Sequence, residues 1–157
     1  MRTCIRLVLS VALCQAAGIV GSLFTTQAIT SWYASLRKPE FAPPNWVFAP
    51  VWTTLYLLMG IALFIVWNTI PEKSSARSAI VIFGLQLLLN AFWSYLFFGL
   101  KSPLLGLIEI VVMWIAILLT ILTFLRISKK AALLLVPYLI WVSIASYLNY
   151  SILVLNP

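Results

Sequence analysis

The side chains with chemistry to offer in this sequence are few, and most lie inside apolar stretches. Gln86, Asn90 and Ser94 recur every four residues, so on a helix they stack along one face. Trp52 and Tyr56 share the same spacing, and Met59 continues their stripe. Tyr138, Trp141, Ala145 and Leu148 follow one another at intervals of three, four and three. Such rows of carboxamides and aromatic rings hydrogen-bond and stack; they do not hydrolyse. Histidine is absent, which removes the usual general base, the commonest metal ligand and the commonest haem ligand. The three acids, Glu40, Glu72 and Glu109, form no paired set. No constellation for acid–base or nucleophilic catalysis is visible, and neither a metal site nor a resident cofactor is expected.

Two further groups have restricted uses. Cys4 and Cys14 stand ten residues apart in what reads as one helix, hence about 15 Å apart, too far for a disulfide with each other. Glu109 is the one acid inside an apolar run. A carboxyl there is a functional candidate, but it starts only about 9 Å from the helix beginning, within reach of lipid headgroups or of Lys101.

The elements that carry these residues follow from composition. Of 157 residues, 64% are hydrophobic and only 8% are charged, and the mean hydropathy is +1.11. A solvated surface cannot be made from this material. Apolar runs long enough for a bilayer, which needs roughly 20 helical residues, recur between short polar breaks. The fold class is therefore an all-α integral membrane protein, a single domain of five transmembrane helices. The spans are placed at about 5–29, 46–69, 77–98, 103–125 and 131–155. The first run has a basic start like a signal peptide, yet its apolar character persists to Phe24, which favours a retained helix. Pro103 suits a helix start, whereas Pro137 falls inside the last span and should bend it.

The net charge of +7 would suggest nucleic acid in a soluble protein. Here the cations occupy short loops and no basic recognition face exists, so no nucleic-acid partner is expected. One face receives Arg2, Arg6, Lys73, Arg77, Arg126, Lys129 and Lys130, and the other Arg37, Lys38 and Lys101. That bias places the N-terminus in the cytoplasm and the C-terminus outside. No internal repeat supports an inverted-repeat transporter.

Each stripe has two readings. Gln86 and Asn90 would serve equally as hydrogen-bonded bridges between helices. Trp32, Trp46 and Trp67, near span ends, suit interfacial anchoring. Trp52 and Trp141 fall well inside their helices, where an indole N–H wants a partner and a ligand cavity gains weight. Between the first two spans, residues 37–52 read RKPEFAPPNWVFAPVW, with four prolines among interleaved aromatics. This is either a stiff connector with anchors or a lid over the mouth of a pocket.

Three blocks then carry a resemblance: WYASLRKPEFAPPNWVFAPVWTTLYLLMG (32–60), QLLLNAFWSYLFFG (86–99) and VPYLIWVSIASYLNY (136–150). Together with GIVGSLFT (18–25), they make the chain resemble the translocator protein family, whose bacterial members are called tryptophan-rich sensory proteins. The resemblance covers nearly the whole chain. It implies a five-helix bundle, often a homodimer, with a pocket opening toward the first long loop. It also implies binding of tetrapyrroles such as protoporphyrin IX and haem, of isoquinoline and benzodiazepine ligands and, in eukaryotes, of cholesterol. Matched position by position, the implied pocket takes Tyr33 and Pro43 from the loop and Phe48, Trp52 and Tyr56 from the second span. Asn90, Trp93 and Ser94 come from the third, and Trp141, Ala145 and Leu148 from the fifth. Stiff prolines reduce the entropy lost on closure over a ligand, and Arg37 and Lys38 suit a macrocycle's propionates. One departure stands out. The family's sterol pattern needs a cation soon after its tyrosine, whereas LNY (148–150) is followed by SILVLNP. Cholesterol binding through that pattern is doubtful.

The leading expectation is a membrane receptor or carrier that holds a flat apolar ligand among aromatic walls. A second is a light-dependent porphyrin-degrading enzyme relying on Trp52 and Trp141, which the resemblance implies for bacterial relatives. A third is a scaffold acting through partners or dimerisation, with Gly18, Gly21, Ala79 and Gly84 allowing close helix approach.

Overall fold

A computed structural model describes residues 2–69 and 75–157 of the chain. Among these residues there are six helices and one widened turn: α1 (Arg2–Ile29), the single-turn α2 (Trp32–Ser35), α3 (Asn45–Asn68), α4 (Ser75–Ser94), α5 (Pro103–Leu125) and α6 (Lys129–Leu155). Five of them are long and apolar enough to cross a membrane, and no strand occurs among the described residues. The expected helical class and the number of spans are what the structure has. Lys73, counted above among the cations of one face, lies outside the described residues.

Local chemistry explains the helix ends. The Ser102 hydroxyl accepts from the backbone N–H of Leu105 at 3.3 Å, with Pro103 at the first helical position, so α5 begins with one orphan donor satisfied. Ser128 caps α6 in the same way through Ala131. Helix α6 runs through Pro137 without interruption.

The third span ends differently. Residues Tyr95–Gly99 form a π-helical turn continuous with α4, closed by a bond from Leu100 N–H to the Tyr95 carbonyl at 2.8 Å. The wider turn lets two consecutive rings, Phe97 and Phe98, both be buried. Lys101 then leaves the helix at φ 53°, in the left-handed region that glycine usually fills at such an exit.

The spans form a closed ring in which α1 packs on α3, α3 on α6, α6 on α5, α5 on α4 and α4 on α1; α3 also meets α4 across the centre. The outward faces are apolar: Val8, Ile19, Val81, Leu88, Ile108 and Leu133 are all more than half exposed. Lipid would cover these faces, so hydrophobic burial cannot hold the ring together, and close backbone approach has to. A Cβ built at Gly60 in α3 would lie 2.7 Å from the Cα of Val11 in α1, and one at Gly18 would lie 2.4 Å from the Tyr56 ring. One at Gly21 would lie 2.9 Å from the Ser94 hydroxyl. Gly18 and Gly21 thus serve contacts within the chain, whereas Gly84 faces open space.

The two ends of the ring are tied separately. Arg6 at the start of α1 donates to the Asn68 carboxamide at the end of α3 (3.1 Å), with its guanidinium 5.8 Å from the Trp67 ring. At the other end, the backbone of Arg37 and the carboxamide of Asn156 exchange two hydrogen bonds, each 3.0 Å. The loop after α1 therefore docks on the C-terminal end of α6.

Because the neighbour of Gly60 is backbone, no side-chain rotation relieves an added methyl there. Gly60→Ala should cost about 1–3 kcal/mol, read as a lower thermal midpoint in detergent, while Gly84→Ala should leave the midpoint unchanged or raise it.

Candidate functional site

The aromatic and amide stripes meet at the loop-capped half of the ring. Trp52 stacks on Tyr56 one turn along α3, with ring centres 5.5 Å apart, and its edge meets Tyr138 of α6 at 6.1 Å. The Tyr56 hydroxyl donates to the Asn90 carboxamide oxygen in a short hydrogen bond. Asn90 in turn donates to the Tyr138 hydroxyl at 2.9 Å, and Tyr138 donates to the Met113 sulfur at 3.7 Å. One carboxamide on α4 thereby joins α3 and α6, and α5 is reached through Met113. The bridging reading of Asn90 is what this geometry displays. Gln86, one turn away on the same face, is 1% exposed, and neither amide atom has a hydrogen-bond partner among the described residues.

Nearer the loop lies a second aromatic cluster. Tyr33 of α2 is buried against Phe97 and Phe98, with centres 6.3 and 5.7 Å away. Phe97 stacks on Trp93 at 5.0 Å. The Trp93 indole donates to the Asn149 carboxamide (3.4 Å), whose own N–H donates to the Pro103 carbonyl at 2.7 Å. Leu148 belongs to this cluster, and Phe48 packs against it while its ring also meets Trp141 edge-on at 6.0 Å. Phe48 and Trp141 thus link the two groups. Ala145, half-buried, packs against the larger core.

Of the residues expected to line a pocket, Trp52 and Tyr56 come together at the Asn90 bridge, Trp141 packs against the same core and meets Phe48, and Phe48 joins Tyr33, Trp93 and Leu148 in the cluster nearer the loop. Their rings meet in pairs, Phe48 with Trp141, Trp52 with Tyr56, and Tyr33 and Trp93 each with Phe97. Ser94 points elsewhere, toward Gly21 of α1. Pro43 is half-buried in the loop. Trp141 carries the clearest unmet need: its indole N–H is buried without a hydrogen-bond partner among the described residues.

The lid has its own anchors. Phe41 stacks on Tyr147 of α6 at 5.0 Å. The Lys38 ammonium lies 4.8 Å from the centre of the Tyr33 ring and donates to the carbonyls of Ala34 and Leu36. Arg37 is exposed, its backbone held by Asn156. Asn156, Asn149 and Met113 had no mark in the sequence, since each matters through a partner far along the chain. Glu109 is 6% exposed, both carboxyl oxygens lack a hydrogen-bond partner among the described residues, and the pairing with exposed Lys101 is not formed.

The chain also has known relatives. The sequence profile of the TspO/MBR family matches residues 10–155. The chain belongs to that family. It is 52% identical over 151 residues to the tryptophan-rich protein TspO of Chlorobaculum tepidum, covering 96% of both chains. It is 47% identical over 153 residues to the protein of the same name from Archaeoglobus fulgidus, covering 97% of both. With the translocator protein of Bos taurus it shares 38% identity over 136 residues, 85% of this chain and 79% of that one. A TspO/MBR chain with five apolar spans is a multi-pass integral membrane protein.

Two outcomes follow. Asn156→Ala should release the loop from α6 and raise amide hydrogen exchange over residues 36–44 several-fold, with little change in the spans. Burial pushes the Tyr33 phenol from 10.0 up to about 12. Its folded-state value is raised, so above pH 10 the unfolded chain loses this proton while the folded chain keeps it. Stability from this group is complete below pH 10 and declines toward pH 12. Thermal midpoints should fall less steeply across that window in Tyr33→Phe.

Proposed function

We propose that this membrane protein serves a sensory or transport role by holding a flat tetrapyrrole, of the protoporphyrin IX or haem kind, within the loop-capped half of its ring. The carrying observation is the buried indole N–H of Trp141, without a hydrogen-bond partner among the described residues, on a ring that meets Phe48 edge-on and packs against the same core as Trp52, Tyr56 and Tyr138. Apolar walls with few polar groups suit a large aromatic ligand. Parting the edge contact between Phe48 and Trp141 would admit a planar ring between two π-faces and give the indole a partner. Arg37 and Lys38 stand in the covering loop, where carboxylate side arms of such a ligand would emerge. With no histidine for an axial bond, recognition rests on stacking and carboxylate pairing, so free-base and iron porphyrin should bind alike. The excess of cations at the Arg6 end supports an N-terminus on the cytoplasmic side and a lid on the opposite face. The family names of the bovine and bacterial relatives, translocator protein and tryptophan-rich protein, fit a ligand-handling role of this kind.

The test is equilibrium titration of protoporphyrin IX and of haem into purified protein, followed by quenching of tryptophan fluorescence. Trp141→Leu and Trp52→Leu should each weaken binding about tenfold, roughly 1.4 kcal/mol, as expected for lost ring contacts. Unchanged affinity in both variants, or strong dependence on iron, would sink the reading.

A second reading is favoured by one feature. Trp52, Tyr56, Tyr138 and Met113 form a connected row of oxidisable side chains through Asn90. Light-driven breakdown of a bound porphyrin would draw on such a row. Illumination in air should then give a new absorbing product that Trp52→Phe and Trp141→Phe abolish. Equal product without protein counts against it.

A further inference from the structure

Away from the aromatic site, a cavity of about 330 Å³ lies between the outer end of α1 and the π-helical turn. That volume is at the small end of ligand sites, roughly 300–1,000 Å³. Its apolar wall is made by Phe24 and Ala28 of α1 with Tyr95 and Phe98 of the turn; Gln27, Ser31 and Lys101 supply the polar rim. Among the described residues, neither the Gln27 carboxamide nor the Lys101 ammonium has a hydrogen-bonding or ionic partner within the chain. The Ser31 hydroxyl donates to the Gln27 carbonyl at 2.8 Å, leaving its oxygen free to accept.

Two backbone features build this hollow. The widened turn carries Tyr95 toward α1, where its ring meets Phe24 edge-on at 5.3 Å. Gly99 permits that closeness, because a Cβ there would lie 3.0 Å from Tyr95 and 3.2 Å from Phe24. Lys101 holds its cation at the rim from a left-handed backbone, φ 53°, that a side chain adopts only at some cost. Glycine would fit that exit better, so the position spends conformational ease on a charge.

We propose that this cavity is a binding site for one acidic phospholipid, independent of the tetrapyrrole reading. The head phosphate meets Lys101, with Gln27 and Ser31 as neutral hydrogen-bonding groups, and an acyl chain lies along Phe24, Ala28, Tyr95 and Phe98. The chemistry selects this occupant. A cation beside amide and hydroxyl groups matches a phosphodiester, the apolar wall matches a chain, and the position at the end of a span is the depth at which both occur together. A zwitterionic head offers the same phosphate but carries its own ammonium, which Lys101 repels. The site lies one ring from the aromatic cluster, since Phe98 lines the cavity and also contacts Tyr33 and Trp93 at 5.7 Å each.

Native mass spectrometry of the full-length protein in detergent tests this, with phosphatidylglycerol and phosphatidylcholine of identical chains titrated in parallel. One lysine at a membrane surface is worth about a fivefold preference for the anionic lipid. The wild type should show that preference for a first bound phosphatidylglycerol. Lys101→Gly keeps the left-handed backbone while removing the charge, so it should fold normally and lose the preference. Gln27→Trp, which closes the rim, should weaken the first adduct of both lipids. Equal binding of the two lipids by wild type, or a preference that survives Lys101→Gly, overturns the proposal. So does displacement of phosphatidylglycerol by soluble glycerol phosphate, since that would show a site for the free anion.

Discussion

The interaction on which the rest of the structure depends is the pair of hydrogen bonds made by the Asn90 carboxamide, one accepted from Tyr56 and one donated to Tyr138. In hydrocarbon a polar group without a partner is costly, and apolar surface gains little by leaving lipid for protein. A carboxamide offering donor and acceptor in opposite directions fixes three helices at once and sets their rotation. With Tyr56 so placed, Trp52 is drawn to its stack, and Gly18 leaves the room that the Tyr56 ring occupies. The aromatic site is therefore a consequence of how the ring of helices is locked.

A layered arrangement results. Deepest is the amide–tyrosine bridge; above it lies the contact between Phe48 and Trp141; above that come the rings around Phe97, covered by Tyr33 and the proline-rich loop. Each layer leans on the next through ring edges and faces, which shift more easily than hydrogen bonds do. The loop is held by a few discrete ties, to Asn156 and Tyr147, and these are of a kind that opens without unfolding a span. The loop above thus rests on few contacts, while the bridge below is fixed by hydrogen bonds. Glu109 and Gln86 stand within the same interior with no partner for their side-chain polar atoms among the described residues.

Much of the fold was legible because its causes are local. Hydropathy over about twenty residues locates a span, and Pro103 announces a helix start. The stripes Trp52–Tyr56 and Tyr138–Trp141 follow from helical spacing alone. Other features had no local cause. The same four-residue rule that pairs Asn90 with the site also assigned it Ser94, yet Ser94 faces Gly21 of α1, where the chain passes into the π-helical turn. Gly18 and Gly21 read equally well as an outward dimer face or an inward contact, and only the rotation of α1 decides between them.

The sequence by itself determined that this is a five-span helical membrane protein, which residues are costly to leave in lipid, and which family it joins. Those properties depend on composition, period and motif, all carried within short segments. Tertiary structure decided which polar groups find partners, which aromatic rings meet, and that the loop is fastened by Asn156, 119 positions along the chain from Arg37. A side chain's partner is fixed by the rotation and depth of two helices relative to each other. No single helix carries that information.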